Sequence, residues 1–176
     1  MECSSALWSS SWVTGNSRHR TGDITVRFHL IDRVDAYEPA RSVRGRKLTS
    51  LSEEYWEDSA DGLVMPPPLA LEALCQAGTW LIMITTERRK RAALLSIGSV
   101  EFLGAVYPGD VLVLEGHVDS WSEEVAVISG RVTVEEDGRA VLEAGEIMCV
   151  LIDAADLEDL EDTARMQKLL DRAGGA

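Results

Sequence analysis

The sequence predicts an α+β domain in which an antiparallel sheet wraps around one long buried helix. The elements run in the order two strand candidates, one helix candidate and four strand candidates, and the helix candidate is apolar on nearly every face. A helix that is apolar all round is buried, and strands joined by short turns pair antiparallel. At 176 residues the chain is long enough for one complete core and short for two.

Two strand candidates precede the helix, at 23–31 and 42–48. The first, DITVRFHLI, is β-branched and aromatic, as strands tend to be. The second, SVRGRKL, alternates weakly. A polar, acidic stretch from Ser52 to Asp58 is predicted to be a loop.

The helix is predicted over 68–87. In LALEALCQAGTWLIMI only Glu72, Gln76 and Thr79 interrupt the apolar residues. The prolines before it suit a first turn, where backbone N–H groups have no intrahelical partner. Basic residues at 88–91 complement the negative C-terminal end of the helix dipole.

Four strands are then predicted at 93–102, 111–120, 125–135 and 140–152. Pro108-Gly109-Asp110 and Glu136-Asp137-Gly138 supply turns between them. We divide the chain into a mobile arm (1–22), the α+β domain (23–153) and an acidic tail (154–176) that begins as an amphipathic helix.

Composition excludes several classes of function. The formal net charge is −13, and a nucleic-acid binder or a protein of anionic membrane surfaces needs a clustered basic face. The sequence has no stretch of 18 uninterrupted apolar residues, so we predict no membrane span. Three scattered cysteines and three histidines do not form a metal motif. We expect no metal and no cofactor, and a reducing, cytoplasmic setting.

Glu72 and Gln76 are the first candidates for a functional site. They lie four residues apart, so both side chains project from one face of the helix. A carboxylate beside an amide in an apolar wall is suited to acid–base chemistry, with Gln76 orienting the carboxylate or a bound ligand. The alternative is structural: Glu72 pairs with an arginine such as Arg33, or reaches solvent.

Three segments resemble one protein family. LEALCQAG at 71–78, LIDRV at 30–34 and F…VYPGD at 102–110 are similar to motifs of the bacterial β-hydroxyacyl-ACP dehydratases, hotdog-fold enzymes of type II fatty-acid synthesis. The resemblance covers roughly 25–152. It implies a hotdog domain and a dimer, either a homodimer or a heterodimer with another hotdog chain.

The resemblance also implies a substrate and a mechanism. In this family an acyl chain on phosphopantetheine, carried by acyl carrier protein or coenzyme A, enters a tunnel between subunits. A histidine of one subunit and an acid on the helix of the other remove water from a 3-hydroxyacyl thioester, while a backbone N–H at the helix start binds the thioester carbonyl. By this resemblance Glu72 is the helix acid and Gln76 the neighbouring glutamine.

Two departures from the family pattern affect catalysis. Counted back from Glu72, the histidine position is occupied by Asp58, and the carbonyl-binding glycine position by Pro67. Proline has no N–H to donate, and loss of such a donor costs a few kcal/mol of barrier. We therefore expect ordinary dehydration to be impaired.

Three functions remain open at the level of sequence. Asp58 and Glu72 could form a paired-carboxylate site for dehydration or for thioester hydrolysis, since close carboxylates separate their pKa values. The chain could instead be a non-catalytic partner of an active hotdog dehydratase. The structural alternative makes Asp58 a solvated loop acid. We expect His117 to be exposed on its strand and Cys75 to be a packing residue.

Overall fold

The computed structural model describes residues 29–157 and 159–171. Its long helix is α1 (Pro67–Thr85). The strands are β1 (Arg33–Glu38), β2 (Ser42–Leu48), β3 (Glu57–Ser59), β4 (Gly62–Val64), β5 (Lys90–Phe102), β6 (Val111–Trp121), β7 (Val125–Val134) and β8 (Ala140–Asp153). Six of them form one antiparallel sheet in the order β1-β2-β6-β7-β8-β5, and β3 and β4 form a separate two-stranded hairpin.

The sheet packs around α1 as expected for a hotdog fold. The helix contacts β2, β5, β6, β7 and β8, and Leu74 and Leu81 on it are almost completely buried. The packing is closest at Gly130 of β7, where a Cβ atom would lie 2.4 Å from the carbonyl oxygen of Glu115 and 3.0 Å from a methyl carbon of Leu74. Only glycine leaves room there for both the neighbouring strand β6 and the helix packed against the sheet.

The first strand differs from the prediction. Of the predicted strand 23–31, residues 23–28 lie outside the described residues and 29–31 form no strand; the ladder begins at Arg33. Leu30 and Ile31 are nonetheless buried. Their apolar character therefore marks a segment packed into the core rather than one paired with β2.

Other boundaries also shifted. The predicted polar loop contains the start of β3 at Glu57, and the helix begins at Pro67 and ends at Thr85, earlier than expected at both ends. Strand β5 begins at Lys90 rather than at residue 93, so part of the basic cluster belongs to a strand and not to a helix end.

Strand β5 is an edge of the sheet and carries uncovered apolar side chains. Leu94, Val100 and Phe102 are 55%, 40% and 44% exposed. Val100 lies opposite Ala144 and Phe102 opposite Leu142, both buried. Directly opposed residues share a face, so Val100 and Phe102 lie on the core side of the sheet. In this part of β5, α1 does not cover the core-side residues.

The tail forms a short 3₁₀ turn (Ala154–Asp156) and the predicted amphipathic helix, α2 (Leu160–Leu170). Asp159 caps it by accepting hydrogen bonds from the backbone N–H groups of Glu161 and Asp162 at 2.8 and 3.3 Å. Leu170 is buried in the core. By length and composition alone α1 could cross a membrane, but here it is the core helix of the domain.

Candidate active site

The start of α1 offers few backbone donors. Pro66 is the N-cap and Pro67 and Pro68 are the first two helical residues, so neither of those positions has an N–H group. The next N–H, that of Leu69, already donates to the carbonyl oxygen of Pro66 at 2.9 Å. A helix N-terminus normally presents free N–H groups to an anion or a polarised carbonyl. Here the first three positions have none to offer.

Glu72 and Gln76 are joined by a hydrogen bond on the half-buried face of α1. The Gln76 side-chain amide donates to Glu72 Oε1 at 2.8 Å. The side-chain oxygen of Gln76, Oε1, accepts a hydrogen bond from the backbone N–H of Leu30, also at 2.8 Å. The second bond fixes which end of the amide faces Glu72. Gln76 therefore connects the segment before β1 to the helix carboxylate.

Neither structural alternative describes Glu72 fully. Arg33, the arginine considered as its partner, instead forms an ion pair with Asp35. Glu72 is neither fully buried nor fully exposed, so solvent reaches it only in part. Its described side-chain partner is Gln76.

Asp58 lies in the short hairpin β3–β4. It is exposed and pairs with Leu63 across the two strands. Within one chain, then, Asp58 faces water and Glu72 lies on the half-buried face of α1. In the family pattern the two positions belong to different subunits, so the carboxylates of a single chain need not meet.

The remaining candidates lie as expected from their patterns. His117 is 63% exposed and its Nε2 lies 3.2 Å from Asp119. Burial, with contributions from Glu72 and Cys149, raises the pKa of the Cys75 thiol to about 12. A thiol that remains protonated at neutral pH is a poor nucleophile, so Cys75 is a packing residue.

The basic residues after α1 are largely engaged by their own chain. Arg88 donates to the Gln167 side chain of α2 at 3.0 Å, and Lys90 lies 2.8 Å from Asp153. Arg89 donates to the carbonyl oxygen of Thr86 at 3.0 Å. These contacts tie the end of α1 and the start of β5 to β8 and to the tail helix α2.

Sequence reasoning missed a cluster of charged and aromatic residues beside the hairpin. Lys47 of β2 is only 3% exposed and forms an ion pair with Glu53, to which Tyr55 also donates a hydrogen bond. The alternation in β2 carried the signal, since Lys47 lies two residues from Gly45 and four from Val43, both buried. A lysine on the buried face of a strand requires a buried partner.

Comparison with known proteins gives the same family as the motifs. A family model described as the FabA-like domain matches residues 25–145. The 3-hydroxyacyl-[acyl-carrier-protein] dehydratase FabZ of Roseiflexus castenholzii is 36% identical over 126 residues, covering 70% of this chain and 86% of the relative. FabZ of Nitratidesulfovibrio vulgaris is 35% identical over 118 residues, covering 61% and 77%.

Solved structures share the fold at low sequence identity. A hypothetical thioesterase protein of Streptococcus pneumoniae, solved with coenzyme A, superposes with a TM-score of 0.52 and 19% identity, covering 69% of this chain and 85% of that one. The dehydratase heterocomplex ApeI:P of Xenorhabdus doucetiae gives 0.55 and 17%, covering 78% and 88%. Both dehydratases and thioesterases therefore have this architecture, and the architecture alone does not choose between them.

Proposed function

Because this chain belongs to the FabA-like domain family, we propose that it is a dehydratase-like protein of fatty-acid or polyketide assembly that binds 3-hydroxyacyl thioesters and dehydrates them poorly on its own. The substrate class follows from the FabZ relatives, whose name specifies 3-hydroxyacyl groups on acyl carrier protein. Coenzyme A is the alternative carrier, since a fold neighbour was solved with it.

The observation that carries this proposal is the proline-rich start of α1. A dehydratase of this family stabilises the thioester carbonyl with an N–H at the helix start. In this chain Pro67 and Pro68 lack that group and Leu69 uses its own. An oxyanion donor is worth about 2.7–4 kcal/mol of barrier. Asp58 occupies the position of the family's catalytic histidine, so the chain also lacks that base.

Glu72 gives the chain a function despite these losses. It keeps the helix carboxylate, oriented by Gln76, and this is the half of the site that one subunit contributes to its partner. We therefore propose a hotdog dimer in which a chain with the histidine supplies the base and this chain supplies Glu72 and a tunnel wall. A dehydratase heterocomplex among the fold neighbours is consistent with such an assembly.

Strand β5 supports the dimer. Its exposed Leu94, Val100 and Phe102 form an apolar stripe on the core side of the sheet edge. A second hotdog chain paired along this edge would cover the stripe, and the same side chains would form an apolar wall for an acyl chain. The free thiols of Cys75 and Cys149 suit the cytoplasm we propose as its location.

A complementation assay tests this function. A 3-hydroxyacyl-pantetheine thioester is incubated with this protein alone, with a FabZ whose helix glutamate is replaced by alanine, and with the two mixed. Mass spectrometry should show faster water loss in the mixture than in either protein alone, though slower than in an intact FabZ because the helix that carries Glu72 still lacks the carbonyl donor, and the substitution Glu72→Ala should abolish the gain. Water loss by this protein alone that is as fast as in the mixture would overturn the proposal, and release of free pantetheine would identify a thioester hydrolase instead.

A further inference from the structure

Lys47 is a charged residue in the interior of the protein. Its exposure of 3% is the lowest of any lysine, arginine, aspartate or glutamate in 29–157 and 159–171. Removing an ammonium group from water is expensive unless a partner and hydrogen bonds replace the water. The groups that contact the Lys47 ammonium group therefore indicate its role.

The partners of Lys47 are the last residue of β2, Leu48, and two residues of the segment that follows it, Glu53 and Tyr55. The Nζ atom lies 2.5 Å from Glu53 Oε1 and donates to the carbonyl oxygen of Leu48 at 2.9 Å. It also lies 5.7 Å from the centre of the Tyr55 ring, within reach of a cation–π interaction. The Tyr55 hydroxyl donates a hydrogen bond to the second carboxylate oxygen of Glu53, Oε2.

The same carboxylate organises the backbone of the segment. Glu53 Oε2 accepts from the backbone N–H of Ser50 at 3.0 Å. The Ser50 carbonyl oxygen accepts from the Trp56 indole N–H at 2.8 Å, and the Tyr55 and Trp56 rings lie 5.1 Å apart. A continuous chain of contacts therefore leads from Lys47 to Trp56, the residue immediately before β3.

The β3–β4 hairpin needs such an attachment. It has three residue pairs, and it forms a sheet of its own instead of joining the large one. A two-stranded hairpin is marginal in water without packing. On its C-terminal side, the Met65 N–H donates to the Val106 carbonyl oxygen at 2.9 Å. On its N-terminal side the attachment is the cluster around Lys47.

Buried ion pairs contribute little to net stability, because desolvation offsets most of the attraction. What the pair does provide is one defined geometry, since Lys47 without Glu53 would be a buried unpaired charge, while Glu53 itself is partly exposed. This separates two possible roles for Lys47: it contributes to the stability of the whole fold, or it sets the position of one segment.

We propose that Lys47 is a positioning residue: with Glu53 and Tyr55 it fixes the segment 48–56 and so holds the β3–β4 hairpin, which carries Asp58, in place at the entrance to α1. The proposal goes beyond the function proposed above and does not depend on it. It holds whether Asp58 is a catalytic group, a contact to a partner subunit or neither.

Hydrogen–deuterium exchange of the full chain tests the proposal. The variants are Lys47→Met, the double variant Lys47→Met/Glu53→Gln, and Lys168→Met on the exposed side of α2 as control. In Lys47→Met the amides of 57–64 should exchange about tenfold faster, with α1 and β6–β8 changed much less. The control should match the wild type.

The double variant separates positioning from stability. It leaves no unpaired charge, so the thermal midpoint should recover toward the wild-type value, while the hairpin amides remain fast. Recovery of both together, or unchanged hairpin exchange in Lys47→Met, would overturn the proposal. If Lys47→Met does not fold, Tyr55→Phe removes one hydrogen bond to Glu53; hairpin exchange should rise, and an unchanged rate would equally overturn it.

Discussion

Gln76 links two segments that are distant in sequence, because one end of its amide binds the Leu30 backbone and the other binds Glu72. The spacing of Glu72 and Gln76 on one helix turn could be predicted from the sequence alone. The contact with Leu30 could not be predicted, since Leu30 lies 46 residues from Gln76. It contributes its backbone N–H, and the identity of its side chain gives no indication of that hydrogen bond. Asp58 and Pro67 could be identified as departures, but their exposure depends on the hairpin and the helix start.

At the same scale, Glu53 should make stability depend on pH. Burial raises its pKa, but hydrogen bonds from Lys47, Tyr55 and the Ser50 N–H outweigh burial, and the net pKa is lowered from 4.5. A lowered folded-state pKa stabilises the fold above the unfolded value, and the contribution is lost as pH falls through the folded value. Urea unfolding should show wild type more stable than Glu53→Gln near neutral pH, with the difference shrinking in acid. A difference that stays constant into acid would contradict this.

Cys75 should be nearly inert. A pKa raised from 9.0 to about 12 leaves about a thousandfold less thiolate at a given pH. Peptide mapping after iodoacetamide treatment at mildly alkaline pH should show Cys75 labelled orders of magnitude faster in urea than in the native protein. Comparable rates in the two states would show that the thiol is neither buried nor perturbed.

At the scale of elements, α1 is the feature best predicted from sequence, because a helix apolar on nearly all faces must be removed from water and its flanking strand patterns provide the sheet that covers it. The β3–β4 hairpin could not be predicted: each strand has three residues, those of β3 are all exposed, and no apolar alternation marks them. The first strand was predicted too early in the chain for the opposite reason. Leu30 and Ile31 are apolar and are buried in the core, but they do not pair with β2.

A leucine-to-alanine substitution should have a different effect on stability in each of the two helices. Leu74 of α1 is 1% exposed, so Leu74→Ala should cost about 2–5 kcal/mol of unfolding free energy, through lost burial and the cavity that remains. Leu169 of α2 is 67% exposed, and Leu169→Ala should change it by less than about 0.5 kcal/mol. Denaturant titration measures both. Equal losses would mean that the side chain of Leu169 is buried as deeply as that of Leu74.

At the scale of the whole molecule, the sheet has an apolar edge that one chain does not cover. If β5 pairs with a second hotdog chain, light scattering should give about twice 19.3 kDa for a homodimer, or the sum of the two chain masses for a complex with a histidine-bearing chain. Placing a charge at 44%-exposed Phe102, as Phe102→Glu, should leave monomers, because a buried unpaired carboxylate is costly. A wild-type protein that stays monomeric alone and with such a chain would contradict the dimer.

The central claim is that this chain has the fold and the helix carboxylate of a 3-hydroxyacyl-thioester dehydratase without its base or its carbonyl donor. The most direct test restores both, by comparing the wild type with Asp58→His/Pro67→Gly in the mass-spectrometric assay of water loss. We predict that the double variant dehydrates a 3-hydroxyacyl-pantetheine at least about a hundredfold faster than the wild type, and that Glu72→Ala abolishes the gain. A wild-type protein that already loses water from the substrate as fast as the double variant would contradict the claim.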